Sequence, residues 1–206
     1  MVPGLPIILL ACRVLTALVL GMLAFLAGGA ELAPEFSIEV ARSGETFIVH
    51  ALLFAPVSRQ EAWTVLTDFD HMTGFVPNLT ESRVVERAGN RLTVAQKGVA
   101  RFGALEFPFD SVREVDLNPE ESVRSRNIRG NLRKLKSVTR LAEAEGGTRI
   151  SYRVEAILDW WFSNAVGEAF LRHEIREQFD AIVKEMRRRH DAAQVPPADP
   201  NRASTR

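Results

Sequence analysis

The sequence predicts an α+β fold: a curved antiparallel sheet, two short helices after the first strands, and one long C-terminal helix over the concave face. Three observations carry this. Between Glu81 and Leu158, apolar and polar residues alternate with period two through a succession of segments joined by short turns. The stretch "AWTVLTDFDHMTGFVPNL" (62–79) holds a helical pattern that stops at Asp-Phe-Asp and restarts as a short apolar piece. Near the end, Leu171, Ile175, Phe179, Ile182 and Met186 fall within one helical stripe. A curved sheet must cover its concave apolar face, and only that last helix is long enough.

The elements follow in order. "FSIEVARSGETFIVHALLFAP" alternates about Arg-Ser-Gly-Glu and reads as two strands in a hairpin, ended by Pro56. Ser58 is placed to cap a helix carrying Ala62, Trp63, Val65 and Leu66. Asp70 is expected to cap the second short piece, His71 to Phe75, with Pro77 closing it. Five or six strands follow, with turns at Ala-Gly-Asn (88–90), Asn118-Pro119, Gly130-Asn131 and Gly146-Gly147. Pro108, inside a strand, predicts a bulge or an unpaired stretch of backbone. The long helix is expected to begin near Ser163 and to end with "RRRH", whose charge suits the negative end of the helix dipole.

With 206 residues the chain suffices for one domain, expected over 31–190, and the 26 basic and 26 acidic residues give no argument for nucleic acid. Residues 1–30 are different in kind. Val14–Ala30 is uncharged, Arg13 precedes it, and Gly28 and Ala30 stand where an export signal is cut. The expectation is export to the periplasm, with a membrane anchor as the alternative, since a span needs roughly 20 apolar residues. Cys12, the only cysteine, lies in that segment, so the domain itself has no disulfide or thiol chemistry. The Pro- and Ala-rich end, 191–206, is expected to be a disordered tail.

Ala55-Pro56, the stretch 62–79, "SRVVER", Gln96 and Gly98 in "VAQKG", and "GTRISYRVEA" together resemble the START-like (SRPBCC) helix-grip superfamily, over roughly residues 36–189. The likeness is to its polyketide cyclase/dehydrase and coenzyme Q-binding branch. It implies an internal cavity for a hydrophobic small molecule, lipid- or quinone-like.

Metal and cofactor chemistry is not expected. His50, His71, His173 and His190 show no paired ligand spacing, and no nucleophile elbow, P-loop or dinucleotide glycine pattern occurs. Asp68 and Asp70 suit a catalytic carboxylate pair but serve more commonly at helix ends. The expected cavity residues are Phe75, Val76 and Leu79 on and after the second short helix, Phe102, Phe107 and Phe109 on one strand region, Trp160 and Phe162 before the last helix, and Leu171 on it. Trp160, Trp161 and Phe162 are consecutive, so not all can point inward. Gln96, in phase with Leu92 and Val94, and Tyr152, in phase with Ile150 and Val154, place polar groups on the inner face, either pairing with neighbours or meeting ligand.

Arg124, Arg126, Arg129, Arg133, Lys134, Lys136 and Arg140 crowd one hairpin, where Glu106, Asp110 and Glu114 of the preceding strand offer cross-strand partners. The alternative for that face is contact with anionic lipid or a protein. The leading expectation is an exported binder or carrier of a hydrophobic molecule rather than an enzyme, the short helices gating its cavity. A cyclase/dehydrase-type enzyme using Gln96, Tyr152, His71 or Arg113 is the alternative. A protein-interaction module of the same fold is the third reading.

Overall fold

The computed structural model describes residues 36–131, 133–157 and 167–194. Residues 1–30 and Trp160 to Phe162, and with them the expected helix start near Ser163, lie outside these. The described residues form eight strands: β1 (Phe36–Ser43), β2 (Thr46–Ala55), β3 (Leu79–Ala88), β4 (Arg91–Phe102), β5 (Leu105–Asn118), β6 (Ser122–Gly130), β7 (Lys134–Ala144) and β8 (Gly147–Ile157). They form one antiparallel sheet in the order β1-β2-β8-β7-β6-β5-β4-β3. Helix α1 (Arg59–Leu66) and a 3-10 helix (Phe69–Gly74) connect β2 to β3, and helix α2 (Gly167–Gln194) follows β8. Among the described residues no helix is long and apolar enough to cross a membrane.

Alternation in the sequence becomes the two faces of this sheet. Val49, Ala51 and Leu53 on β2, Leu92 and Val94 on β4, and Ile150 and Val154 on β8 are buried on the concave side. Phe170, Leu171, Ile175, Phe179, Ile182 and Met186 of α2 are buried in the same core, as helical spacing requires. Gly98 is needed on β4 because a Cβ there would lie 2.0 Å from the Asn78 carbonyl oxygen and 2.5 Å from the Phe109 ring. Any side chain would push β4 away from the β3 entrance or expel Phe109.

Ser58 caps α1 as the sequence predicts. Its Oγ accepts from the Glu61 backbone N–H at 3.2 Å, while Glu61 Oε2 accepts from the Ser58 backbone N–H at 2.8 Å, a reciprocal capping box. The Ser58 bonds first, and then His190, hold the Glu61 carboxyl down at about 2. Asp70 does not cap the second short helix. It lies inside that helix, and its Oδ1 accepts from the Val84 backbone N–H at 2.7 Å, tying the helix to β3. Asp68 precedes the helix but makes no capping bond; it accepts from His71 Nδ1 at 2.6 Å and Arg189 Nη2 at 2.7 Å. The two aspartates therefore serve separate structural contacts, and neither caps the helix end.

Helix α2 continues to Gln194, one turn past the expected boundary at residue 190. The residues after His190, Asp-Ala-Ala-Gln, form helix readily, and the first proline comes only at Pro196. Arg188, Arg189 and His190 are thus not at the helix terminus. Arg188 and Arg189 clamp Glu185, Arg189 reaches Asp68, and His190 donates to Glu61 Oε1 at 2.7 Å. These bonds fasten α2 to the α1 and 3-10 segment.

Pro108 lies where β5 is paired with β4 but not with β6, whose ladder with β5 begins at Ser111↔Gly130. The Asn131 side chain stands in for the missing strand. Its Nδ2 donates to the Pro108 carbonyl at 2.9 Å and its Oδ1 accepts from the Asp110 N–H at 3.1 Å. Gly130, at φ 129, lets the chain pass so close that a Cβ would fall 2.1 Å from the Asp110 carbonyl. The β6–β7 ladder runs only from Ser122↔Arg140 to Arg126↔Lys136.

Candidate functional site

Between the concave sheet face, the 3-10 helix and α2 lies a cavity of about 450 Å³. Phe69, Met72 and Val76 come from the α1–β3 connection, Phe107 and Phe109 from β5, and Phe170, Leu171, Ile175 and Phe179 from α2. A second hollow, where α2 crosses β1 and β2, is lined by Phe36, Leu53, Phe54, Phe179 and Val183 and edged by Arg176, Asp180, Lys184 and Arg187. Its charged rim suits water better than an apolar ligand, so the inner cavity is the candidate site.

Of the expected cavity residues, Val76, Leu79, Gln96, Phe107, Phe109, Tyr152 and Leu171 line it. Phe75 and Phe102 do not. The 3-10 helix ends at Gly74, and Phe75 at φ −139 leaves the helical path; its ring lies 5.6 Å beneath the Arg189 guanidinium. Phe69 and Met72, three residues apart and therefore on one face of a 3-10 helix, fill the inward role expected of Phe75. Phe102 stands at the rim, edge-on to Phe170 at 6.2 Å and to His173 at 5.6 Å. Trp160 and Phe162 lie outside the described residues.

A polar band crosses the otherwise apolar wall. Ser125 and Ser137, paired across β6 and β7, share a hydrogen bond of 2.9 Å. Tyr152 packs edge-on against Phe179 at 5.0 Å, bonds with Ser137, and lies beside Arg113. Burial raises its phenol, so the hydroxyl stays neutral. Gln96 Nε2 donates to Ser82 Oγ at 2.9 Å and meets Met72 Sδ at 3.5 Å, and its Oε1 accepts from Arg113 Nη2. Gln96 therefore answers both alternatives, pairing with neighbours while lining the cavity.

Arg113 is the unusual member. Its guanidinium lines the cavity, its Nε is buried with no hydrogen-bond partner, and among the described residues no carboxylate pairs with it. Burial works against its charge, and Tyr152 offsets this only in part. An arginine remains protonated in such surroundings, so the cavity wall carries an uncompensated cation. Sequence reasoning reached Arg113 only within the enzyme alternative and passed over Ser125, Ser137 and Glu174. The signal existed: Arg113 shares the parity of Phe107, Phe109 and Val115 on β5, where an arginine interrupts an inward-facing series.

On the outer face the basic hairpin is partly neutralised. Arg126 Nη2 meets Glu114 at 2.8 Å, Lys134 meets Glu155 at 3.7 Å, and Arg133 meets Glu45 at 3.5 Å. These exposed pairs are worth little individually but account for much of the charge run as a solvated surface.

A family profile for polyketide cyclase/dehydrase and lipid transport matches residues 55–183. The chain belongs to this polyketide cyclase/dehydrase and lipid transport family. The match spans the end of β2 to the middle of α2, which includes the whole cavity wall described above. Solved structures share the fold. The Zhui aromatase/cyclase from Streptomyces sp. R1128 is 14% identical, with a TM-score of 0.64 over 73% of this chain and 99% of its own. The STAR-related lipid transfer protein from Xanthomonas axonopodis is 13% identical, with a TM-score of 0.58 over 77% of this chain and 97% of its own. Human StAR-related lipid transfer protein 5 is 12% identical, with a TM-score of 0.61 over 88% and 98%. At such identities the likeness concerns the helix-grip fold. No curated protein sequence is significantly similar to the chain. Family and fold agree with the START-like resemblance read from the sequence, and support hydrophobic-ligand binding or cyclase/dehydrase roles of this fold.

Proposed function

We propose that the protein is a binder or carrier of a hydrophobic small molecule whose polar head bears an acidic or electron-rich oxygen, docked on Arg113. The observation that carries this is a largely apolar cavity of about 450 Å³ holding a guanidinium that no carboxylate among the described residues neutralises. A buried charge without a partner is costly, and a ligand carboxylate or similar oxygen supplies the missing counter-charge through charge-assisted hydrogen bonds. The volume falls within the usual range for small-molecule sites, roughly 300–1,000 Å³. Tail atoms then replace water against Phe69, Phe107, Phe170 and Phe179. The uncharged Val14–Ala30 run supports export as part of the same proposal, and N-terminal sequencing of protein from its host tests that part.

The decisive experiment is calorimetric titration of dodecanoic acid and its methyl ester into delipidated protein and into Arg113→Met. Wild type should prefer the acid, and the variant should lose at least tenfold in affinity for the acid while its ester affinity barely moves. Equal acid affinity in both proteins would defeat the proposal.

One observation favours a second reading. Arg113 and the neutral Tyr152 hydroxyl line the same cavity within electrostatic reach of each other, and donors so placed can stabilise an oxyanion as it forms. Under the cyclase/dehydrase reading these two would hold an enolate oxygen. Turnover of a poly-β-ketone substrate, lost in both Arg113→Met and Tyr152→Phe, would establish it.

A further inference from the structure

One acidic group in the cavity wall has no role in the reading above. Glu174 on α2 is 5% exposed and lines the cavity beside Phe170, Leu171 and Ile175. Its Oε2 accepts from Asn78 Nδ2 at 2.7 Å. Its Oε1 is buried without a hydrogen-bond partner. Glu177, one turn along, accepts from the same Nδ2 at 3.1 Å, and His173 Nε2 lies 3.9 Å from Glu177. Among the described residues no lysine or arginine side chain pairs with Glu174. Burial, reinforced by the neighbouring Glu177 charge and opposed by the Asn78 bond, the Arg101 backbone and His173, raises the Glu174 carboxyl above its ordinary range. Oε1 is thus a buried carboxyl oxygen on the cavity wall with no partner among the described residues, and an unsatisfied buried polar atom calls for an explanation.

Its position relative to Arg113 supplies one. Arg113 reaches Gln96 on β4 through its Nη2, whereas Asn78, which holds Glu174, accepts through its backbone carbonyl from the Val99 N–H at 2.9 Å. Gln96 and Val99 lie three residues apart on that strand, roughly 10 Å at the usual rise. The two polar groups thus stand apart in the lining of one cavity, which Phe107 and Phe109 of β5 also line.

We propose that Glu174 is a second ligand anchor and that the natural ligand is an elongated amphiphile with a polar group at each end. An acidic or electron-rich oxygen meets Arg113, and a hydroxyl at the far end hydrogen-bonds with Glu174 Oε1. This rests on the carrier reading. The competing use of the cluster is a cation site, because His173, Glu174 and Glu177 offer ligand atoms within 4.8 Å of one another. The Asn78 amide competes with a cation there: Nδ2 donates to Oε2 of both carboxylates, so that only the second oxygen of Glu174 is bare.

The test compares dodecanoic acid with 12-hydroxydodecanoic acid by calorimetry on delipidated wild type, Glu174→Gln, Glu174→Leu and Arg113→Met. Burying an unpartnered hydroxyl opposes binding, so without a second anchor the hydroxy acid is the weaker ligand. The expected result is the reverse in wild type, by at least fivefold, retained in Glu174→Gln, whose amide still pairs with a hydroxyl, and abolished in Glu174→Leu. The wild-type comparison stands even where a variant fails to fold. A wild-type preference for plain dodecanoic acid, with binding still dependent on Arg113, would overturn the second anchor and leave the carrier reading intact. Failure of both acids to bind wild type would remove both. Saturable Mn²⁺ or Zn²⁺ binding lost in Glu174→Gln would make the cluster a cation site and overturn the proposal.

Discussion

Replacing Arg113 by methionine sets function against stability at one residue. Two opposing terms decide the outcome. Removing an uncompensated charge relieves its desolvation penalty, of which the open cavity spares a part, leaving a gain of about 2–4 kcal/mol. Against this, Gln96 Oε1 loses its donor, a cost of about 1–2 kcal/mol. Gln96 Nε2 keeps Ser82 Oγ at 2.9 Å, so the amide is not stranded altogether. Methionine nearly fills the arginine stem's volume and adapts its shape, which keeps any void small. The balance is a stabilisation of about 1–2 kcal/mol in the ligand-free protein. Urea titration of delipidated wild type and variant at pH 7 measures it, alongside the acid titration described above. The expected pairing is a more stable protein that binds the acid at least tenfold more weakly. A variant less stable than wild type by about 1 kcal/mol or more would show that the guanidinium is compensated from within, and the argument for a waiting anion site would fail.

Three further outcomes are expected. Phe179→Ala should destabilise by about 3 kcal/mol, the lower end of the range for a buried aromatic, because the cavity already borders one side of the ring. The loss includes its edge contacts with Phe36 and Tyr152, and a urea-titration change below about 0.5 kcal/mol would contradict the helix-over-sheet packing. Met72→Glu should weaken a fluorescent fatty-acid probe far more than Phe75→Glu does, since Met72 lines the cavity and Phe75 faces Arg189; equal effects would mean the 3-10 helix presents both inward. Glu185, bonded first by Arg188 and then by Arg189, titrates at about 2 in the folded protein against an ordinary 4.5. A lowered folded value contributes stability above 4.5 that disappears as pH falls toward 2. Glu185→Gln should therefore be less stable than wild type at neutral pH and flatten the acid limb, and parallel acid limbs by circular dichroism would refute the assignment.

The sequence by itself determined the sheet, the Ser58 cap, the helix that covers the concave face, and the inward parity of Gln96, Tyr152 and Leu171. These follow from local rules: period two fixes which side of a strand a residue occupies, and helical spacing fixes which face of α2 is buried. The parity of Arg113 on β5 is inward as well, a signal the sequence reading did not use, but parity reports direction and not company. Whether a carboxylate neutralises it depends on which side chains five other strands and α2 bring opposite, and pairs such as Gln96 with Arg113 or Asn78 with Glu174 join residues far apart in sequence. The same limit explains Asp70, which has the composition of a cap and instead binds the Val84 N–H, because a backbone donor from another strand arrives within reach. Phe75 looked like the tip of an inward lid, yet one change of backbone direction after Gly74 turns it toward Arg189. A charge left without its counter-charge is a property of the assembled cavity, since electrostatic compensation depends on distances in space that sequence spacing does not encode.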